Sequence, residues 1–349
     1  SEMCIRHRPR PEREAVELLS EANKETAVLA GGTDLVGLMK RMIMTPYRVV
    51  NIREIDSLRQ IERDDDGNVW IGAAVGLDEF LGDGLTDGCS SARQVIQGIS
   101  SIQLQSQGTL VGELLRRPTC WYFRDGQGLL ADRGVNVTDG DNRYHAILGN
   151  RGAAKFVNAS RLAPALIALD AKVRVLGSDP GTETLMDLAS LYRTPGSDSE
   201  IENVLQHGQL VTHVIIPDTT ARRNAAYEVR HGEGPDQPLA AAAVSVDVSQ
   251  GRVRQARIVL GQVAPTPWVA HHASQSLAGQ PINDETASIA GLEAVAGAIA
   301  LSHNEYKIQL AQVAVKRALL RAVDQDTGGL DRPIISEPSD RQSHDLHTV

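Results

Sequence analysis

The stretch Val28-Leu29-Ala30-Gly31-Gly32-Thr33-Asp34-Leu35 predicts a strand that runs through a glycine turn into a helix. An apolar run, Ala27 to Ala30, precedes the glycines, and apolar residues recur at helical spacing over 36–44. Adjacent glycines permit a positive φ and lack Cβ atoms, so consecutive N–H groups can point into one concavity that suits a diphosphate. Thr33 and Asp34 would add a hydroxyl contact and an N-cap for the following helix. An ordinary Gly-Gly turn is the alternative interpretation.

The composition predicts a globular protein of two or three domains, because 42% of its 349 residues are hydrophobic. A formal net charge of -9 argues against a nucleic-acid partner. No apolar run is long enough to span a membrane and no leader is visible, so we expect a cytoplasmic protein. The cysteines Cys4, Cys89 and Cys120 are too few for a disulfide framework or a four-thiolate cluster.

Short strands and helices alternate along the first part of the chain. Helices are predicted over 12–24, 76–85 and 91–99, and strands over 27–30, 49–52 and 69–73. The run Asp64-Asp65-Asp66-Gly67-Asn68 predicts a hairpin turn, since the remaining ligands of a calcium loop are missing. A second glycine-bearing loop follows at Gly108-Thr109-Leu110-Val111-Gly112.

Residues 116–158 lack periodicity over a length that is unusual in a compact domain, which indicates a functional or contact-making insert. The insert contains Cys120-Trp121-Tyr122-Phe123 in a chain with only 3% aromatic residues. His145, between Tyr144 and Ala146, is interpreted as a hydrogen-bonded structural histidine, with a catalytic role as the alternative.

The second part of the chain ends in an α+β module. A helix over 162–169, a strand over 173–176, a short helix over 185–191 and a strand over 210–216 come first. Strands over 225–230, 240–248 and 253–263 are followed by alanine-rich helices over 270–277, 284–300 and 304–323. The polar residues 325–349 are predicted to form a flexible tail.

The order of these motifs resembles the flavoprotein subunit of molybdenum hydroxylases, the xanthine dehydrogenase and carbon monoxide dehydrogenase family, over about residues 5–324. The matching motifs are Ala30-Gly31-Gly32-Thr33-Asp34-Leu35, Ile71-Gly72-Ala73, Gly108-Thr109 with Gly112, Leu162-Ala163-Pro164-Ala165-Leu166, Val214-Ile215-Ile216-Pro217, Arg257-Ile258-Val259-Leu260-Gly261, Val263-Ala264-Pro265-Thr266-Pro267 and Asn304-Glu305-Tyr306-Lys307. The insert resembles the branch that includes the aldehyde oxidoreductase and 4-hydroxybenzoyl-CoA reductase flavoproteins.

The resemblance implies an α+β fold, with a two-subdomain PCMH-type FAD-binding domain followed by a carbon monoxide dehydrogenase flavoprotein C-terminal-like domain of a sheet plus helices. The expected boundaries are 1–55 for the first subdomain, 56–221 for the second with its insert 116–158, 222–324 for the C-terminal domain and 325–349 for the tail.

The resemblance further implies FAD between the two subdomains, with its diphosphate on the two glycine loops. The cofactor-binding residues would be Ala30, Gly31, Gly32, Thr33, Asp34, Leu35, Thr109, Gly112 and Glu113, with Ser160 toward the ribose and Ile215 or Ile216 near the flavin ring. The expected partners are a molybdenum-cofactor large subunit and a 2Fe-2S small subunit. Substrate chemistry would occur on the large subunit, so this chain would relay electrons without catalytic residues or metal ligands of its own.

Several positions depart from the family pattern. Val111 places a branched side chain, and Glu113 a carboxylate, where the family backbone approaches the diphosphate. The family's Ser-Asp pair is Ser160-Arg161 here, and a family lysine in the last domain is Glu228. Arg161 would either offset Glu113 or bind a phosphate.

In the resembling branch the insert carries a further iron-sulfur cluster, but of its cysteines only Cys120 remains. A four-iron cluster needs about four thiolates, so we predict none in this chain. The aromatic residues of the insert would then be a structural plug or a partner contact. A working FAD-binding subunit is the first hypothesis; the alternatives are a flavin-free structural subunit and a different nucleotide in the same cleft.

Overall fold

A computed structural model describes residues 5–21, 25–131, 134, 136–177, 182–197, 199–232, 234 and 236–328. Four features discussed above lie wholly or partly outside these residues: Cys4, the end of the helix predicted over 12–24, residues 132, 133 and 135 of the insert, and most of the tail predicted over 325–349. The described residues form three sheets, each with its own helices.

The first sheet is a parallel sheet of three strands. Its strands are β1 (Ile5–His7), β2 (Thr26–Leu29) and β3 (Arg48–Asn51), in the order β1-β3-β2. Two helices accompany it, α1 (Glu12–Ser20) and α2 (Leu35–Lys40). The predicted order of strand, glycine turn and helix is confirmed, although α2 ends at Lys40 rather than at residue 44.

The second sheet is antiparallel, with five strands in the order β4-β5-β8-β6-β7. Its strands are β4 (Ile61–Arg63), β5 (Val69–Gly72), β6 (Lys172–Leu176), β7 (Glu183–Asp187) and β8 (Leu210–Ile216). The helices of this part are α3 (Leu77–Gly82), α4 (Ser90–Gln97), α5 (Ile102–Gln107), α6 (Leu110–Leu114), α7 (Trp121–Arg124) and α8 (Ala163–Ala168).

The hairpin of β4 and β5 is confirmed, and its turn is held by Asp64. Oδ1 of Asp64 accepts from the Asn68 N–H at 2.8 Å, and Oδ2 accepts from Trp70 Nε1 at 2.8 Å. Hydrogen bonds from the turn itself therefore occupy both carboxylate oxygens, as in an Asx-type turn.

The helix predicted over 185–191 is wrong. Residues Glu183–Asp187 form the edge strand β7, and only Leu188–Leu191 turn, as a 3-10 helix. Pairing with β6, from Leu176 opposite Glu183 to Lys172 opposite Asp187, decides the conformation. Sheet pairing of this kind overrides a local helical pattern in a short segment.

The third sheet is antiparallel, in the order β12-β11-β10-β9. It consists of β9 (Arg223–Val229), β10 (Ala240–Ser249), β11 (Arg252–Gly261) and β12 (Trp268–Val269), and three helices follow, α9 (His271–Ser276), α10 (Asp284–Ala294) and α11 (Tyr306–Ala322). The predicted β10–β11 hairpin is confirmed. Helix α10 ends at Ala294, before the predicted residue 300.

Two hydrophobic cores organise the described chain. One core joins side chains of the first two sheets, including Val50 of β3, Ile71 of β5 and Leu166 of α8. The other lies between the third sheet and its helices, and it includes Ile147 and Leu148 of the insert. The N–H groups of Ile147 and Leu148 both donate to the carbonyl of Val263, so the insert is attached to the C-terminal sheet.

No helix among the described residues is both long and apolar enough to cross a membrane.

Candidate functional site

The glycine turn between β2 and α2 lies directly against the segment that precedes α6. A Cβ built on Gly31 would be 1.8 Å from the carbonyl oxygen of Gln107 and 3.2 Å from Cα of Gly108. Gly32 has a φ of +73°, in the left-handed region that glycine adopts readily. The tertiary structure therefore brings the two glycine-bearing segments together, as the resemblance implies, and the contact leaves no room for a side chain at position 31.

The backbone of the turn has unused hydrogen-bonding capacity. Within the described ranges, the N–H groups of Gly31 through Leu35 donate to no protein acceptor, either backbone or side chain. Two carbonyls of the same turn do accept from α2, that of Gly32 from Val36 N–H at 3.3 Å and that of Asp34 from Leu38 N–H at 3.2 Å. Consecutive open N–H groups next to a glycine with positive φ are typical of an anion-binding nest.

The second glycine-bearing segment is a helix start rather than the loop that the sequence predicted. Thr109 is the N-cap of α6, and its buried Oγ1 accepts from Gly112 N–H at 3.2 Å. Val111 is buried, and its branched side chain packs in the first core. The Gly112 N–H is therefore occupied by the cap, whereas the Thr109 hydroxyl, which accepts there, keeps its own proton to donate.

Glu113 is held by protein donors on both sides of its carboxylate. Oε1 accepts from the backbone N–H of Arg161 at 3.1 Å, and Oε2 lies 3.8 Å from Arg116 Nη1. Burial raises the pKa of Glu113, and the charge of Arg116 opposes that rise. The repulsion expected between this carboxylate and a diphosphate is thus offset, chiefly by Arg116 and by the Arg161 N–H rather than by the Arg161 side chain.

The guanidinium of Arg161 pairs instead with Glu228 of β9. Arg161 Nε donates to Oε1 of Glu228 at 2.8 Å, and a second hydrogen bond joins Nη2 to Oε2. The two side chains are only 2% and 9% exposed. The two departures from the family pattern at these positions are therefore one feature, a buried ion pair that joins the start of α8 to the third sheet.

Asp34 stands at the N-cap position of α2, but its side chain does not cap that helix as predicted. Oδ2 accepts from the backbone N–H of Arg117 at 3.0 Å, and Oδ1 accepts from Arg124 Nη2 at 2.8 Å. Both donors belong to the insert, so the carboxylate ties the glycine turn to it.

The remaining predicted contacts lie deeper in the protein. Ser160 is buried, and its Oγ accepts from the N–H of Ala163, the first residue of α8, at 3.0 Å. Ile215 is 7% exposed, while Ile216 has no exposed surface and belongs to the first core. The assignment of Ala30, Gly31, Gly32, Thr33, Asp34 and Leu35 to a cofactor, and of these deeper residues to its ribose and ring, stays a prediction.

A separate cavity of about 330 Å³ lies between the insert and the C-terminal sheet. Its walls include Cys120, Trp121, His145 and Lys307, and the glycine turn does not line it. Cys120 Sγ lies 3.2 Å from His145 Nε2. Burial raises the pKa of the Cys120 thiol, so this sulfur stays protonated at neutral pH.

The residues around Cys120 do not fit a four-iron cluster. Its hydrogen-bonding neighbour is an imidazole, and the other cysteine in the described part of the chain, Cys89, is buried in the first core. No group of three or more His, Cys, Asp or Glu side chains among the described residues is arranged to hold a metal ion. The donor set here supplies one thiol where such a cluster needs about four.

His145 is expected to make stability depend on pH in the acid range. Burial, and then the charge of Lys307, lower the pKa of His145 to about 4 from 6.5. The unfolded chain therefore binds the extra proton first, and the free energy of unfolding falls as the pH drops from about 6.5 to about 4. The loss at pH 4 is about 3 kcal/mol.

Denaturant unfolding at a series of pH values, with His145→Gln beside the wild type, measures this dependence. The variant should lose less stability than the wild type between pH 6.5 and 4. Parallel curves for the two proteins would show that His145 does not carry the effect.

Lys307 is a buried clamp between the insert and the C-terminal domain. Its Nζ donates to the carbonyls of Tyr144, His145 and Gln262 at 3.1, 3.1 and 2.7 Å. Lys307→Met leaves the carbonyls of Tyr144 and Gln262 without this donor, while that of His145 keeps Asn304 Nδ2 at 3.1 Å, so we expect a loss of about 2–3 kcal/mol in the free energy of unfolding. Lys316→Met is the control, because Lys316 lies on the same helix as Lys307 but pairs with the exposed Asp284 of α10. Equal losses in both variants would contradict the clamp.

Sequence reasoning missed the arginines that meet the carboxylates of the site. Arg116, Arg117 and Arg124 flank the aromatic row of the insert, and this concentration of cations soon after the second glycine-bearing segment was the available signal. Arg116 has its partner Glu113 only three residues away, but Asp34 is 83 positions from Arg117 and 90 from Arg124, so only the folded structure identifies these two contacts.

Comparison with known families identifies two matches along the chain. Residues 3–219 match the FAD binding domain in molybdopterin dehydrogenase, and residues 225–322 match the CO dehydrogenase flavoprotein C-terminal domain. The aldehyde oxidoreductase FAD-binding subunit PaoB of Escherichia coli (strain K12) is 30% identical over 302 residues, which are 84% of this chain and 90% of PaoB. The carbon monoxide dehydrogenase medium chain of Afipia carboxidovorans is 27% identical and covers 90% of this chain and 95% of its own length.

Solved structures share the fold. A chain of the Cu,Mo-CO dehydrogenase aligns with a TM-score of 0.71 at 24% identity, over 93% of this chain and 98% of its own. A chain of quinoline 2-oxidoreductase from Pseudomonas putida 86 also aligns with a TM-score of 0.71, at 20% identity, over 92% and 97% of the two chains. The resemblance seen in the motifs is confirmed, and the chain belongs to the family defined by the FAD-binding domain of molybdopterin dehydrogenases, with the C-terminal domain of CO dehydrogenase flavoproteins.

Proposed function

We propose that this chain binds FAD and relays electrons within a molybdenum-containing hydroxylase or dehydrogenase complex. The observation that carries the proposal is the run of open N–H groups at Gly31–Leu35 beside a glycine with positive φ. Such a turn suits an anion, and a diphosphate is the anion that the matched family's cofactor contains. The relatives are FAD-binding or medium subunits of oxidoreductases, which supports the same cofactor here.

The FAD would supply the redox chemistry through its flavin ring, and the protein would bind and orient it. Backbone N–H groups of the glycine turn would hold the diphosphate. The Gly112 N–H would fix the start of α6 rather than contact a phosphate, because it already donates to Thr109 Oγ1. The Thr109 hydroxyl would keep its proton to donate to the cofactor. Glu113 would keep its place through Arg116 and the Arg161 N–H.

The partners would be a molybdenum-cofactor large subunit and a 2Fe-2S small subunit, by analogy with the complexes of the relatives. The net charge of -9 supports partners other than nucleic acid. We place the complex in the cytoplasm, on the sequence expectation alone. We further propose that this chain binds no iron-sulfur cluster, because Cys120 is the single thiol of the insert. Iron and acid-labile sulfide in the isolated chain would contradict that point.

A flavin-free structural subunit is the second candidate. The observation that favours it is the burial of Ser160 and Ile216, which leaves neither side chain open to a cofactor as the chain stands. In that case the chain would serve as a structural subunit, and its insert and C-terminal domain would contact the other subunits of the complex.

Purification of the full chain, followed by an absorption spectrum and mass spectrometry of released cofactor, distinguishes the two. We expect a flavin spectrum and FAD at close to one equivalent per chain, or stoichiometric uptake of added FAD by the apoprotein. A colourless chain that does not take up FAD would exclude the electron-transfer role and leave the structural one.

A further inference from the structure

A single guanidinium of the insert determines the charge beside the glycine turn. Both carboxylate oxygens of Asp34 are bonded to the insert, one to the Arg117 N–H and the other to Arg124 Nη2. We propose that Arg124 is a positioning residue, which neutralises Asp34 and so allows the turn to bind the FAD diphosphate. This inference rests on the proposed function and assigns it a residue outside both glycine loops.

Arg124 is fixed before any ligand arrives. Its Nε donates to the carbonyl of Pro118 at 2.7 Å, and its Nη2 also donates to the carbonyl of Arg117 at 2.8 Å. Two backbone acceptors therefore aim the planar guanidinium at Asp34 at 2.8 Å. The side chains of Arg124 and Asp34 are 17% and 16% exposed, so water screens this pair only in part.

The segment that carries Arg124 is itself anchored. The ring of Phe123 lies beneath two guanidinium groups, 5.1 Å from that of Arg117 and 5.8 Å from that of Arg124. Arg117 also pairs with Glu202, whose side chain is 6% exposed. These contacts hold the short helix α7 against the turn. An arginine on a mobile surface loop would lose more conformational entropy when it pairs with Asp34.

An unpaired Asp34 would act against an anion at this place. Its carboxylate belongs to the turn whose own N–H groups are open, and like charges at short range in a partly buried site repel strongly. The pKa of Glu113 supports this closeness: burial is the main cause of its rise, Arg116 opposes it, and the charge of Asp34 adds to it. The carboxylates of Glu113 and Asp34 thus lie close enough to affect each other. Arginines of the insert neutralise both, Arg116 beside Glu113 and Arg124 beside Asp34.

The test measures FAD affinity of the full-length apoprotein by flavin fluorescence, with Arg124→Gln, Arg124→Lys and the double variant D34N/R124Q. We expect R124Q to raise the Kd by about tenfold. D34N/R124Q removes the need for the charge, so it should stay within about threefold of the wild type. R124K keeps the charge but loses the orientation by Pro118 and Arg117, so its Kd should lie between those of the wild type and R124Q. Arg13→Gln is the control, because Arg13 forms an exposed pair with Glu17 on α1.

The salt dependence of FAD affinity distinguishes an electrostatic effect of Arg124 from an effect on the conformation of the turn. At 1 M NaCl, where the Debye length is about 3 Å, the defect of R124Q should shrink relative to low salt. A loss that arises only from a misfolded turn would persist at high salt, and thermal unfolding of the apoproteins reports any such damage. If R124Q folds poorly, D34N alone decides the point, since it should bind FAD as tightly as the wild type or more tightly.

Three results would overturn the inference: wild-type affinity in R124Q, a double variant as weak as R124Q, or a D34N variant weaker than the wild type. Each of them leaves the proposed function intact, provided that the wild type binds FAD. A wild-type chain that takes up no FAD would overturn the proposed function and this inference together.

Discussion

Gly31→Ala is expected to abolish FAD binding at ordinary concentrations, with a Kd raised by about 100-fold or more. The added Cβ would lie 1.8 Å from the Gln107 oxygen and 3.2 Å from Gly108 Cα. Because both are backbone atoms, no side-chain rotation relieves the clash, and the turn must move away from the segment before α6. Once the turn has moved, its open N–H groups no longer converge on one position, so they cannot all donate hydrogen bonds to the same diphosphate.

Gly37→Ala is the matched control for this prediction. Gly37 lies on α2, six positions along the chain, and a Cβ there would meet no atom within 4 Å. Alanine in a helix interior is favoured over glycine by roughly 0.5–1 kcal/mol, so G37A should fold at least as well and bind FAD as the wild type does. Far-ultraviolet circular dichroism and flavin content measure both. Normal flavin content in G31A would remove the turn from the cofactor site.

Breaking the buried pair of Arg161 and Glu228 should have the largest effect on stability. Arg161→Ala leaves the Glu228 carboxylate, 9% exposed, without its partner, and Glu228→Ala does the same to the guanidinium, which is 2% exposed. Removing one member of a buried pair costs about 3–5 kcal/mol, since a charge remains uncompensated in a poorly solvated site. The neighbouring Gly98 confirms how tight the site is: a Cβ there would lie 3.0 Å from each side chain.

Urea unfolding of the single variants and of R161A/E228A tests the coupling. The double variant should lose clearly less than the sum of the two single losses, because neither charge is left alone. Arg254→Ala serves as the control, since Arg254 is 71% exposed in its pair with Asp247 and surface pairs contribute little. Additive losses at 161 and 228 would mean that the two side chains do not depend on each other.

The pair also changes how the family departures should be interpreted. Taken one position at a time, Arg161 and Glu228 each replace a family residue by one of opposite charge. In the folded chain the two replacements meet across 67 residues of sequence and neutralise each other. The same holds for Glu113, which receives its donor from Arg161, 48 residues later. A reversed charge is thus weak evidence for lost function until its partner is known.

Local patterns in the sequence were sufficient to predict the elements whose conformation depends on neighbouring residues. Strand, glycine turn and helix around Gly31 and Gly32, the hairpin closed by Asp64 and the long β10–β11 hairpin all have their signals within about ten residues. Prediction failed at Leu185, where pairing with a distant strand decides the conformation, and at Gly112, which is part of a capped helix. The constraint at Leu185 comes from a distant strand, whereas the cap at Gly112 comes from Thr109, three residues earlier, and is a local signal that the sequence interpretation did not use.

The amino-acid sequence by itself determined the family, the order of elements and the glycine turn, because periodicity, turn residues and ordered motifs are properties of short stretches. Only the tertiary structure decided which distant groups meet: Asp34 with Arg124, Glu113 with the Arg161 backbone, and Arg161 with Glu228. The physical reason is range. A hydrogen bond or a buried ion pair requires atoms within about 3–4 Å, and the folding of distant segments onto one another, rather than their spacing in the chain, creates that proximity.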